Sequence, residues 1–199
     1  MSTQNRKYEL KARAESQRET RERIAGAAAE LHEEIGVART TVAEIARRAG
    51  VQRLTVYNHF ADLSDLLPAC SAHYAAQHPR PDLGAAFALE DPVARVRAVL
   101  ADMYGWYRET EPMLGKLHGD RTSVPELDEF MRANGDRALA ELAGRLAAAF
   151  GARESRAERL RALVALALDF GTWRRLTREG LDDAAAAELM SRAVAAISK

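Results

Sequence analysis

The chain has 199 residues, with 29 Lys/Arg balancing 29 Asp/Glu and 47% hydrophobic residues. That length suffices for one large domain or two small ones, and a fold of this size buries roughly 70% of its surface. The longest apolar run, 162–168, falls far short of the ~20 residues that span a bilayer. The N-terminal stretch MSTQNRKYELKARAESQRE contains no apolar segment of the signal-peptide kind, and the single cysteine, Cys70, excludes an internal disulfide. A cytoplasmic protein without a membrane partner is expected. Charge is distributed unevenly but only modestly: residues 1–60 hold 11 Lys/Arg against 8 Asp/Glu, and the remainder holds 18 against 21.

Strand patterning is nearly absent, while helix punctuation recurs, so the sequence reads as all-α. The first helix is expected from about Glu19 or earlier to Glu34, with Ile24, Ala27, Ala28 and Leu31 facing inward and Gly36 ending it. The segment Lys7 to Arg18 either extends this helix or frays as a basic arm. In TTVAEIARRAG, Thr41 followed three residues later by Glu44 is a capping box, which satisfies amide donors that a helix start leaves unpaired. Ile45, Ala46 and Ala49 form the inner face of this short helix, and Gly50 closes it. A second short helix follows from about Arg53 to His59. Within it Val56 stands four residues before Phe60, so both share one apolar face and the polar residues between them point outward. Asp62 caps a fourth helix, to about Gln77, with Asp65 in its first turn.

HPRPDLG, residues 78–84, reads as a break. Asp91 and Pro92 then open a helix to about Thr110. Glu111-Pro112 is expected to interrupt it, with a short helix over Met113–Leu117. Further helices are expected over Glu126–Phe150, over Arg156–Arg178, and from a cap at Asp182 to about Ile197. Gly151 and Gly180 separate them.

Helix, a short Gly-containing turn and a second helix form the helix-turn-helix pattern, in which the second helix enters the major groove of duplex DNA. The stretch RERIAGAAAELHEEIGVARTTVAEIARRAGVQRLTVYNHFADLSDLL, residues 21–67, resembles the DNA-binding domain of the TetR family of bacterial transcriptional regulators. The resemblance lies in TTVAEIA, the AGV turn, TVY, HF and DLL. It implies a DNA-binding domain over residues 1–67, with a three-helix helix-turn-helix and an N-terminal basic extension. A larger helical ligand-binding and dimerisation domain would cover residues 68–199. It also implies a homodimeric regulator, usually a repressor released from double-stranded operator DNA by a small-molecule effector. By the family's pattern Thr41, Tyr57 and His59 would hold phosphates. Gln52, Arg53, Leu54 and Thr55 would lie nearest base edges, with Asn58 at the margin. The chemistry suits these roles. Arg53 can pair bidentately with guanine O6 and N7, Gln52 with adenine, and Leu54 can meet a thymine methyl, whereas hydroxyl and imidazole donors suit phosphate oxygens. Three positions depart from the pattern: Gln52 where Ser is usual, Leu54 where Gly is common, and Leu63 where Lys is frequent.

In the second half, Val93, Val96, Leu100, Met103, Tyr104 and Tyr107 recur at helical spacing, a pattern most often of plain core. The density of aromatic and sulfur side chains favours an adaptable apolar pocket. Met103, Trp106, Tyr107, Met113, Leu117, Phe130, Phe170 and Trp173 are its candidate lining residues, with His118 and Asp169 as polar handles. The segment Arg156–Arg178 is apolar almost all round, so part of its cover is expected from a second subunit, shared with the last helix. Catalytic and metal sites are not expected: the histidines are scattered, no Gly-rich phosphate loop occurs, and Cys70 has no evident base. No cofactor is expected either. The competing function is an effector-independent DNA-binding protein, structural or controlled by a protein partner. A tightly packed second domain would favour it.

Overall fold

The computed structural model describes residues 3–198, and they are all-α, with no strand among them. The elements are α1 (Thr3–Ile35), α2 (Val42–Ala49), α3 (Arg53–His59), α4 (Leu63–Gln77), α5 (Gly84–Phe87), α6 (Pro92–Asp120) and α7 (Pro125–Met131). A π-helical turn, Arg132–Asp136, follows, and then α8 (Arg137–Ala148), α9 (Glu154–Leu168), α10 (Phe170–Arg178) and α11 (Asp183–Ser198). Two compact units result. One holds Met1–His78 with Gly115–Phe130, the other Pro79–Leu114 with Met131–Lys199. The boundary by compactness thus falls later than residue 67, because Leu66, Leu67 and Cys70 of α4 are buried in the first unit's core.

In the first unit Ile24, Ala28 and Leu31 of α1 are buried together with Ile45, Val56 and Phe60 of α2, α3 and its C-cap. Local rules place the breaks. Thr41 accepts from the Glu44 amide and the Glu44 carboxylate accepts from the Thr41 amide, completing the capping box. Gly50 adopts φ 66°, a left-handed conformation that L side chains resist, so the chain reverses there into α3. Asp62 accepts from the Asp65 amide at the start of α4. Two side chains tie the unit together. Arg48 forks onto Glu34 at 2.6 and 2.7 Å, and the Asp120 carboxylate accepts from the Ala38 amide at 3.0 Å.

The second unit's core gathers Val96, Leu100, Tyr104, Leu146, Val164 and Val194. Three expectations are corrected here. Glu111-Pro112 does not interrupt the helix: α6 runs on to Asp120, carried past the proline by burial of Tyr107, Thr110 and Met113 on one face. The 126–150 helix contains the π turn, which passes through Asn134 and Gly135. The 156–178 helix is two helices, broken at Asp169, whose side chain accepts from the Thr172 amide and caps α10.

Candidate nucleic-acid interface

The first unit presents α3 on its surface. Val56 is buried, so the opposite face turns outward: Gln52, Arg53, Leu54, Tyr57 and Asn58 are exposed, and Thr55 and His59 are half-buried. Leu54 and Tyr57 keep 67% and 55% of their surface exposed, a large amount for side chains with so much apolar area. Gln52 is the N-cap of α3 but makes no side-chain capping bond, so its amide is free to reach outward. Thr41, at the start of α2, is exposed while its hydroxyl serves the cap.

Two supports hold α3 in place. At its N-terminal side Val51 donates to the Ala46 carbonyl at 2.9 Å, which fixes the turn between α2 and α3. At its C-terminal end Arg21 of α1 donates to the His59 carbonyl, and its guanidinium lies 4.0 Å from the centroid of the Phe60 ring. Arg21 was not among the residues singled out from sequence. Its place four positions before the buried Ala25 marks it as a residue at the core's edge, but no local pattern pairs it with residue 59. Under the unit lies His32, buried, with Nδ1 3.7 Å from the Cys70 sulfur. Burial lowers its imidazole to about 4, against the opposing pull of Asp120. Burial also pushes the Cys70 thiol up to about 12, which makes it a poor nucleophile.

The residues expected to line a pocket divide between the two units. Leu117, His118 and Phe130 are half-buried in the first. Met103, Trp106, Tyr107, Met113, Phe170 and Trp173 belong to the second, where all but the half-buried Trp106 are buried. Tyr107 meets Phe170 edge-on at 5.6 Å and Trp173 at 5.9 Å, and Phe170 and Trp173 are 5.5 Å apart. Their polar atoms are engaged inside the chain. Tyr107 donates to the Leu168 carbonyl at 2.6 Å, its neighbour Tyr104 to the Ala167 carbonyl at 2.7 Å, and Trp173 Nε1 to Asp183 at 2.9 Å. Those two carbonyls are ones the break at Asp169 leaves without helical partners. Asp169, expected as a polar handle, serves as the cap of α10. Burial opposes ionisation of Asp183, but the hydrogen bonds from Arg108 and Trp173 outweigh it and hold that carboxyl below its usual range.

Among the described residues no group of three or more His, Cys, Asp or Glu could hold a metal ion, and no helix is long and apolar enough to cross a membrane.

Residues 24–70 match the family described as bacterial regulatory proteins, tetR family. The chain is 45% identical over 71 residues to the HTH-type transcriptional regulator SrpR of Pseudomonas putida, a match covering 33% of this chain and 32% of that protein. It is 44% identical over 72 residues to the uncharacterized HTH-type transcriptional regulator TtgW, also of Pseudomonas putida, covering 34% of this chain and 52% of that one. The matched stretch therefore spans about a third and about half of these two relatives. In three dimensions the fold is similar to that of a TetR-like transcriptional regulator from Rhodococcus sp. RHA1, with a TM-score of 0.60 at 18% identity over 88% of this chain and 93% of that one.

Proposed function

We propose that this chain, which belongs to the TetR family of bacterial regulatory proteins, is a sequence-specific transcriptional regulator that binds operator DNA as a homodimer. The observation that carries the proposal is α3: a short helix pinned at both ends, with Gln52, Arg53, Leu54, Tyr57 and Asn58 turned out of the fold. In this reading the exposed Arg53 and Gln52 read base edges. Tyr57 and His59 would donate to phosphates, and Thr41 would do so on exchanging its bond to Glu44 for one to phosphate; such contacts position the protein without carrying sequence information.

Regulation has two readings. In the first the protein is a repressor relieved by a small apolar or amphipathic effector that enters among Met103, Trp106, Tyr107, Met113 and Trp173. A ligand of this kind releases DNA only by binding the DNA-free conformation more tightly. In the second no small molecule acts and a protein partner or abundance sets occupancy. The packed aromatic cluster, with its hydroxyls and indole nitrogen engaged internally, favours the second.

The test starts from a randomised duplex pool presented to the full-length protein. Enrichment of one two-fold-symmetric sequence is the expected result, and recovery of random sequence would sink the proposal. A screen of small apolar and amphipathic compounds against that complex then separates the readings. A compound that lowers operator affinity in the wild type, but less in Met103→Ala, supports the effector reading. No effect from any compound supports the other.

A further inference from the structure

α1 is 33 residues long, yet among its described side chains the first buried one is Ile24. Residues 10–19 are exposed without exception, so the helix, over this described part of its N-terminal half, stands clear of the first unit's core. The inward seam of α1 runs through Leu31, Ala28 and Ile24. Followed toward the N-terminus at steps of three and four residues, the same seam continues as Arg21, Gln17, Ala14 and Leu10. At 3.6 residues per turn, Lys11 and Arg18 fall on one side of this continued seam and Arg13 on the other, within about 160° of arc. Glu15, Glu19 and Glu22 all fall on the opposite side, and Arg23 falls there with them. Over residues 10–23 the face that continues the apolar seam thus carries cations and no carboxylate, while the carboxylates all lie on the back, accompanied there by Arg23.

Sorting of this kind contributes nothing to a monomer's core, and the exposed pairs of Arg18 with Glu15 and Glu22, at 3.2 and 3.8 Å, are weak. The cationic face begins at Arg21, the residue that seats the end of α3. It is thus continuous with the surface assigned above to DNA. From Arg21 to Lys11 the helix advances about 15 Å, the length of four to five base pairs.

We propose that the free half of α1 is a second DNA-contacting element, which lays Lys11, Arg13 and Arg18 along the phosphate backbone of the duplex just outside the segment read by α3. The contact is electrostatic and blind to sequence, and it lengthens the occupied site. The inference rests on the DNA-binding reading.

The experiment uses the operator duplex selected by the full-length protein, in two forms: trimmed to the minimal selected sequence, and extended by five arbitrary base pairs on each side. Wild type is expected to bind the extended form roughly ten-fold more tightly at 50 mM salt, whatever the flanking sequence. The triple variant Lys11→Gln, Arg13→Gln, Arg18→Gln is expected to bind both forms alike. Its salt dependence should be shallower by about 0.9 in log–log slope for each phosphate it no longer neutralises. Glu15→Gln with Glu19→Gln, on the opposite face, should retain the gain from flanks, and circular dichroism should find all variants equally helical. Equal gains for wild type and triple variant would overturn the proposal, as would no gain for wild type. Selection of no sequence at all would overturn the DNA-binding reading and this inference with it. Loss of self-association in the triple variant, without any change in the gain from flanks, would assign the face to a second copy of the chain instead.

Discussion

Tyr57 on α3 is 55% exposed, and its hydroxyl has no acceptor among the described residues, whereas Tyr107 on α6 is 2% exposed and donates to a backbone carbonyl. The two units differ in this way at α3 and at the aromatic cluster. Along α3 polar groups are carried on a helix too short to be stable alone, pinned from outside by Arg21 and the Gly50 turn. In the second unit Tyr104, Tyr107 and Trp173 are buried and each finds an acceptor within the chain. A polar group with an internal partner contributes to folding, because leaving it unpaired when buried costs about 1–3 kcal/mol. A polar group held outward on a rigid support is available to something else.

The comparison can be broken most forcefully in the second unit. Trp173→Ala removes a side chain that is 1% exposed and orphans the Asp183 bond. It should destabilise the chain by about 3–5 kcal/mol in denaturant unfolding. A loss under about 1 kcal/mol would mean that the cluster is loose enough to admit a ligand.

Acid sharpens the comparison, since the first unit also hides one polar group. His32 titrates at about 4 when folded, below the ordinary 6.5, so the unfolded chain binds the extra proton first. Its effect is nil above the unfolded value, and stability falls as pH drops from 6.5 toward 4, by about 3 kcal/mol in all. Unfolding measured across that range should slope accordingly, and His32→Gln should flatten the slope.

Arg53→Ala acts on the displayed side alone. Unfolding should be unchanged, while discrimination at one base pair falls by about 1–3 kcal/mol. Equal weakening on operator and random duplex would take Arg53 out of base reading.

The smallest effect belongs to Thr41→Ala, which removes the capping box and should cost about 1 kcal/mol of stability. Its loss of DNA affinity should exceed that of a distant variant of equal stability if the hydroxyl also meets phosphate. An identical affinity would confine Thr41 to its cap.

Legibility in the sequence follows the range of the interaction. The α2–α3 region was readable because Thr41 with Glu44, Gly50, and Asp62 with Asp65 are contacts within four residues. The course of α6 through Pro112 was not, because burial of Thr110 and Met113 outweighs a local rule that proline ends helices. The break at Asp169 carried a local sign, a capping aspartate three residues before Thr172, hidden within an apolar stretch that reads as one helix. The aromatic residues of the second unit were found by composition, but composition does not distinguish a lined cavity from a filled core. That difference lies in hydroxyl partners some sixty positions away, as with Tyr104 and Ala167.

The paired hydroxyls of Tyr104 and Tyr107 have a mechanical consequence for α6. They sit three residues apart and engage two successive carbonyls at the end of α9, like two teeth in adjacent notches. A slide of α6 by one residue, about 1.5 Å with a turn of about 100°, withdraws both teeth together. A shift of about a whole turn, ~5.4 Å, would bring at most one tyrosine back to a notch, because residues 100, 101, 103, 108, 110 and 111 are not tyrosines. The pair therefore fixes a single register of α6 against α9, and any slide out of it leaves buried hydroxyls unpaired.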